Sequence, residues 1–535
     1  MPPAVAIGLA MITRRIVLSL LAGVAAGSLI LARGNLLVAV PDFFENRLWA
    51  SLIEADHLRV FVFTTLMGVM VGLVSRSGGM HGLIDLVSPL ARNRRRGQLT
   101  GWIAGGLIFF DDYANSLLLG STLRPITDRL KISREKLAYI VDSTAAPVSG
   151  LALISTWVAG EIGYIQSGLD NLDLAGGQFD AFRLFLVSIP YRFYVLWTLA
   201  FVGLVAWLGR DFGPMLRAER EALNRREPLA ALDESADETN PTIAPHLPKR
   251  WINAALPVAA VVGVVLWLLL ATGHSSMVAD QRVQEEMTLI NVMGAGDSYL
   301  ALVYGSLAGA LTAAALALGQ RLLSARQCQD AAVAGARLMA PALAILWLAW
   351  ALSGLTDGEN LQLAAYLTGW LEGQFHLGSQ AVTYSVPAQW MPTIVFVLAS
   401  AVAFGTGTSW GTMSILMPVV VETTYLLLSA GGATVAADDP VFVGAIAGVL
   451  AGAIFGDHCS PISDTTVLSS RASGCDHLAH VWTQMPYALL VAVVSILLGT
   501  LPIGYGLPVW PLLVVGCAVL AVFLLVFGSS AEAMR

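Results

Sequence analysis

Two adjacent carboxylates, Asp111 and Asp112, stand with Asn115 inside the apolar stretch "GGLIFFDDYANSLLLG" at 105 to 120. Three further polar clusters interrupt equally apolar surroundings. They are Asp142, Ser143 and Thr144 in "VDSTAAPVSG"; Thr406, Thr408 and Ser409 in "GTGTSWGT"; and Asp457, His458, Ser460, Ser463, Asp464 and Thr465 in "GDHCSPISDTT". Carboxylates, hydroxyls and bared carbonyls are hard oxygen ligands, suited to a small hard cation such as Na+ or to a proton exchanged against it. Desolvation and acidic neighbours make protons and cations compete for such a carboxylate near neutral pH. Competition at one site, exposed alternately to each face of a membrane, suffices for antiport. Asp142, Asp457 and Asp464 are the carboxylates expected to ligate Na+.

Plainer roles compete with this chemistry. A Ser or Thr in a helix commonly bonds the carbonyl four residues earlier. The glycines of "GTGTSWGT" also let a hairpin pack closely, and His458 could hydrogen-bond a helix break rather than carry a proton. Arg192 and Arg337 fall within apolar segments, where each is expected to pair with a carboxylate or to contact an anionic substrate.

The elements that hold these residues are set by composition. The chain has 535 residues, 56% of them hydrophobic and 13% charged, with a mean hydropathy of +0.70. A soluble domain of this length needs far more polar surface, so the chain reads as an all-α polytopic membrane protein. A net charge of -7 leaves no basic surface for nucleic acid. Cys328, Cys459, Cys475 and Cys517 lack the paired spacing of a disulfide framework or zinc site, and no cofactor is implied.

Apolar runs at 16–33, 58–75, 134–160, 181–209, 251–272, 294–319, 331–353, 441–470, 476–498 and 508–527 are each long enough to cross a hydrocarbon core. Two runs, 97–123 and 392–426, need another signal. The loops on both sides of 97–123 are basic, with Arg92, Arg94, Arg95 and Arg96 before it and Arg124, Arg129, Lys131, Arg134 and Lys136 after it. Both loops belong on the cytoplasmic face, so the segment must enter and leave by that face. Loops 354–391 and 427–440 contain no Lys or Arg, which makes 392–426 a hairpin from outside. About ten spans plus two re-entrant hairpins result, with both termini, starting from Arg14 and Arg15, on the cytoplasmic side.

Residues 210–250 form a charged, proline-broken stretch and read as a cytoplasmic linker between residues 1–209 and 251–535. Each half then holds a hairpin (97–123; 392–426) followed by a helix broken by small polar residues (134–160; 441–470). The two interruptions share Asp, small polar residues, Pro, an aliphatic residue and Ser: Asp142 to Ser149 and Asp457 to Ser463. Because the hairpins enter from opposite faces, the halves are expected to be inverted-topology repeats, with a site where their broken elements meet. A competing alignment matches "IFFDD" at 108 with "IFGDH" at 454; the first fits the loop charges.

The stretches "FFDDYANSLLLGSTLRPITDRLKISREKLAYIVDSTAAPVSG", "GTGTSWGTMSILMP" and "GDHCSPISDTTVLSS" closely resemble the NhaC family of Na+/H+ antiporters. The resemblance implies an ion-transporter fold of paired inverted repeats, elevator-type motion, and coupling of Na+ to H+. It also implies a multi-pass protein of the bacterial inner membrane, whose partners are the lipid bilayer and the two ions, with a homodimer left open. The family is also similar to exchangers of malate against lactate and to amino-acid carriers, so a carrier of small carboxylates or amino acids is the alternative. An intramembrane aspartyl protease would need a Tyr-Asp partner for the "GAGD" at 294–297, and the chain has none; HExxH is absent too. A passive channel gains nothing from broken helices.

Overall fold

The computed structural model describes all residues except 1, 14, 173–178, 226–247, 280–291, 293–295, 357–359, 364, 368–373, 378, 379, 384, 385, 431–433 and 535. Arg14, most of the linker and part of the "GAGD" stretch therefore lie outside the described residues. The helices used below are α1 (Pro2–Thr13), α2 (Ile16–Leu31), α3 (Ala55–Arg76), α4 (Arg94–Leu107), α5 (Asp112–Arg129), α6 (Arg134–Leu151), α7 (Val158–Asp170), α8 (Ala181–Ser188), α9 (Phe193–Leu208) and α10 (Gly213–Asn224). They continue with α11 (Ile252–Ala279), α12 (Ser298–Gly319), α13 (Ala325–Leu338), α14 (Ala340–Thr356), α15 (Met391–Thr406), α16 (Ser409–Ser429), α17 (Pro440–Cys459), α18 (Asp464–Ser473), α19 (His477–Ser495) and α20 (Val509–Phe527). Beside them stands one short antiparallel pair of strands, Gln374–Leu377 and Gln380–Thr383.

The protein is an all-α polytopic membrane protein: among the described residues nine helices are long and apolar enough to cross a bilayer, or ten if the bent Ala181–Tyr191 and Phe193–Leu208 pair is one span. Burial sorts these helices. The apolar window of α17 is 83% buried inside the protein and that of α20 only 22%, so α17 is central and α20 faces lipid through residues such as Trp510 and Val514.

Two antiparallel helix pairs occupy the interior. Gly97 of α4 lies against Leu130 and Ile132, and Gly101 against Leu123, so α5 folds back along α4 from a tip at residues 108–111. Asp111 closes that tip as the N-cap of α5, its Oδ1 accepting from Ala114 N at 2.7 Å. In the second pair α15 turns into α16 at Gly407, whose φ of +70° lies in the left-handed region that a residue with a Cβ adopts only under strain. Thr408 then caps α16 by accepting from Gly411 N.

Each pair is followed by an interrupted helix. The second interruption falls at residues 460–463, between α17 and α18. The first is displaced from its expected place: α6 runs unbroken through Asp142 and Pro147 to Leu151, and the chain opens only at residues 152–157. Thr144 turns its hydroxyl onto the Ile140 carbonyl at 2.7 Å, and the helix carries Pro147 for one more turn before ending. The packing between units is reciprocal. Helix α5 runs parallel to α18, with Ser116 Oγ 3.5 Å from Ser469 Oγ and Gly120 against Ala472. Helix α7 runs parallel to α16, with Gly160 against Trp410 and Gly168 against Pro418 and Val421.

Two further elements were not foreseen. Helix α1 folds back along α2, placing Pro2 against Gly27, at the far end of α2 from Arg15. The described start of the linker is also not loose: α10 buries Met215, Glu219, Ala222 and Leu223 against neighbours that include α6 and α19.

Candidate functional site

Five helices, α2, α5, α7, α16 and α18, begin around one cavity of about 390 Å³. Asp111, Asp112 and Tyr113 reach it from the start of α5, Thr156 from the break before α7, Thr406, Gly407, Thr408 and Trp410 from the tip leading into α16, and Ile462 and Asp464 from the break before α18. The opposite wall is apolar, made by Ile16 and Val17 of α2 and by Leu338, Met339, Pro341, Ala342 and Ile345 at the junction of α13 and α14.

The two leading aspartates differ. Asp111 is a structural cap as well as a cavity residue, since its Oδ2 accepts from Thr156 Oγ1 at 3.1 Å. Asp112 is 2% exposed and forms no ion pair among the described residues, with the Trp157 indole beside it. Asp464, at the first position of α18, has no cation partner among the described residues. Asn115 does not face the cavity; its amide donates to the carbonyls of Gly105 at 2.8 Å and Ile108 at 3.1 Å, tying the arms of the hairpin together.

A second polar cluster lies beside the cavity, around Asp142. Its carboxylate accepts from Thr466 Oγ1 at 3.2 Å, Ser469 Oγ at 3.2 Å and Gln484 Nε2 at 2.6 Å, and it is wholly buried. Gln484 Nε2 also lies 2.9 Å from the His458 carbonyl, and its Oε1 lies 2.9 Å from His480 Nε2. Asp457 belongs to both groups. Its Oδ2 accepts from Ser409 N at 3.1 Å, at the start of α16, while its Oδ1 is buried with no hydrogen-bond partner among the described residues. His458 Nδ1 lies 2.8 Å from the Tyr194 hydroxyl, and its Nε2 is unpartnered.

The expected residues therefore divide. Asp111, Asp112, Thr406, Thr408 and Asp464 line the cavity. Asp142, Asp457 and His458 form the buried network, and Ser409 joins it through its backbone N–H. Ser460 ties the second break to the Phe404 carbonyl at 2.9 Å, and Ser463 and Thr465 hydroxyls lie 3.1 Å apart. Ser143 is buried within α6, and Thr144 is spent on its own helix. The carboxylates of Asp142, Asp457 and Asp464 do not converge on one point, and no group of three His, Cys, Asp or Glu among the described residues is placed to hold a metal ion.

The partner of Arg192 is Glu161, at 2.7 Å, each 1% exposed, and Arg192 also donates to the carbonyl of Gly150 in the last turn of α6. Arg337 is exposed in the last turn of α13. Thr156, Glu161, Thr466, Ser469, His480 and Gln484 were missed by sequence reasoning. His480 and Gln484 carried a usable signal, being polar at i and i+4 within an apolar helix.

Comparisons with known proteins agree with this architecture. The sequence profile of the Na+/H+ antiporter family matches residues 148–502. An uncharacterized protein of Haemophilus influenzae is 32% identical over 509 residues, covering 94% of this chain and 90% of its own length. A Malate-2H(+)/Na(+)-lactate antiporter of Bacillus subtilis is 33% identical over 155 residues, 28% of this chain and 30% of that protein. Among solved structures, the Alcanivorax borkumensis YdaH transporter covers 88% of this chain and 90% of its own, with a TM-score of 0.50 at 15% identity, a likeness of fold alone.

Proposed function

The chain belongs to the Na+/H+ antiporter family, and from that premise we propose that this secondary transporter exports Na+ in exchange for H+ by alternating access. The observation that carries the proposal is the cavity at which both hairpin tips and both helix breaks meet, ringed by Asp111, Asp112 and Asp464. With no cation paired to them, these carboxylates are free to exchange a proton for a cation. The Asp142–Asp457 network behind them senses which is bound, because Asp457 holds the start of α16 while sharing Thr466 with Asp142.

The two units are inverted repeats in this proposal, with residues 1–209 and 251–535 as the halves. The reciprocal packing of α5 on α18 and of α7 on α16 supports it. Alternating access is then an elevator-type displacement of the hairpins and half-helices against α2, α13 and α14, which supply the apolar wall. In this proposal the protein works in the bacterial inner membrane. Its basic end, with Arg94, Lys131, Arg134 and the C-terminal residues that bridge Asp211 to Ser529, lies on the cytoplasmic side.

The test is a proteoliposome holding a preset pH gradient. Added Na+ should dissipate it, and the Asp112→Asn protein should not respond. If Na+ leaves the gradient untouched while an organic solute collapses it, the protein is a solute carrier instead. The relatives named as a Malate-2H(+)/Na(+)-lactate antiporter and an arginine/ornithine antiporter make that the reading to test against.

A further inference from the structure

The cavity is larger and more two-sided than a bare ion requires. Its volume of about 390 Å³ falls in the range of small-molecule pockets, roughly 300–1,000 Å³, whereas one water occupies about 30 Å³ of liquid. One wall carries Asp111, Asp112 and Asp464 with Thr156, Thr406 and Thr408; the other is Leu338, Met339, Pro341, Ala342 and Ile345. A hydrated or oxygen-ligated Na+ makes no use of the second wall.

Charge decides which organic solute fits. Five helix N-termini lie at the cavity, those of α2, α5, α7, α16 and α18, and each brings about half a positive charge, a total of about two and a half, which alone would favour an anion. That field is already answered from within the chain. Asp111 and Asp112 stand at the start of α5, Asp464 at the start of α18, and Asp457 accepts from Ser409 N at the start of α16. Four carboxylates against about two and a half positive charges leave a surplus of about one to two negative charges when all are ionised. The N–H donors an anion would need are taken at three of these starts, Ala114 N by Asp111, Gly411 N by Thr408, and Trp157 N and Val158 N by Ser155 Oγ; at the fourth polar start, that of α18, no side chain caps the helix but the Asp464 carboxylate stands there. Among the described residues no Lys, Arg or His lines the cavity. An indole side chain is present instead. Trp410 lines the cavity and is held edge-on against Trp157, with ring centroids 5.6 Å apart. Indole is the best aromatic partner for an organic cation.

Resting on the proposal above that this cavity is the transport site, we infer that it admits a small organic ammonium cation with an apolar tail, the ammonium head among Asp112, Asp464 and Trp410 and the tail against Met339, Ala342 and Ile345. Solutes bearing a carboxylate are excluded by the surplus negative charge.

The experiment uses the full chain in proteoliposomes with a preset pH gradient and permanently charged probes that cannot carry protons through lipid. Tetramethylammonium, propyltrimethylammonium and butyltrimethylammonium are added in turn, with lactate as the anionic control. Each ammonium probe should compete with Na+ and itself dissipate the gradient. Apparent affinity should rise by about fourfold per methylene, the transfer effect of moving one methylene from water to an apolar wall. Lactate should do neither, and Asp112→Asn should lose the ammonium response. Na+-driven exchange with no competition from any ammonium probe overturns the inference and leaves the Na+/H+ proposal standing. Ammonium-driven exchange without a Na+ response upholds the inference and removes Na+ as the substrate. A response that is flat along the alkyl series, or competition by lactate, overturns the apolar-tail assignment. Because the probe series is read on the unmodified protein, a misfolded variant cannot decide the outcome.

Discussion

Asp142 on α6 and Asp457 on α17 are joined through one hydroxyl: Thr466 Oγ1 lies 3.2 Å from the Asp142 carboxylate and 3.1 Å from the Asp457 carbonyl oxygen. A hydroxyl has one proton, so it can donate to only one of these acceptors at a time. Its choice couples the charge on Asp142 to the end of α17, and Asp457 in turn holds the start of α16.

From this coupling, Thr466→Ser should keep exchange near the wild-type rate, while Thr466→Val should lower it by roughly tenfold or more. A hydrogen bond to a charged group is worth about 1.5–3 kcal/mol. Asp142→Asn should abolish exchange with the protein still inserted and monodisperse. Gradient dissipation in proteoliposomes, beside gel filtration of each variant, checks this. Equal rates in Thr466→Val and wild type would sever the proposed coupling.

Asp111 and Asp112 should separate in the same assay. Asp112→Asn removes a carboxylate that caps nothing, so it should eliminate exchange with little change in thermal stability. Asp111→Asn keeps an N-cap acceptor and should also silence exchange. Asp111→Ala loses the cap at Ala114 N as well and should cost a further 0.5–2 kcal/mol or so of stability. Normal transport in both Asn variants would reduce the pair to a structural turn.

The sequence revealed more of the hairpins than of the site. Basic loops on both sides of 97–123, and loops without Lys or Arg beside 392–426, marked segments expected to double back, and each is an antiparallel helix pair, α4 with α5 and α15 with α16. The second interruption was legible because Ser460, Pro461 and Ser463 cannot continue a helix in lipid without help. The first was misplaced. The small polar residues around Asp142 look like a break but continue as helix, because Thr144 bonds back to Ile140 and alanines follow it. The true break, "ALISTW" at 152–157, holds no Gly or Pro and gives no local warning. Nor could local pattern pair Gln484 with Asp142, since that contact exists only once α19 packs against α6.

The Arg192–Glu161 pair at the joint between α6 and α7 should be structural. Breaking a buried pair by removing one partner strands a charge, at a cost of about 3–5 kcal/mol. Arg192→Met should therefore lower the melting temperature sharply, and adding Glu161→Gln should restore part of it. A double variant less stable than Arg192→Met alone would mean that Glu161 has another charged partner.

Glu219 of α10 fixes the foot of α6, its carboxylate accepting from Arg94 at 2.6 Å and from Ser133 N at 2.7 Å, with Gln98, Asp211 and Lys136 close by. Burial, and then the Asp211 carboxylate, push the Glu219 carboxyl above its ordinary range despite Arg94 and Lys136. The sign follows from linkage. An acid whose pKa is raised on folding stabilises the folded state while protonated, and that contribution is lost as pH rises from the ordinary glutamate range through the raised value. Wild type and Glu219→Gln should accordingly converge in stability at the acid end, and wild type should fall behind as pH increases across that window. Melting temperatures measured for both proteins in the same detergent over this range check it. A gap that widens in favour of wild type with rising pH would show that Arg94 outweighs burial, making the contact an ordinary ion pair.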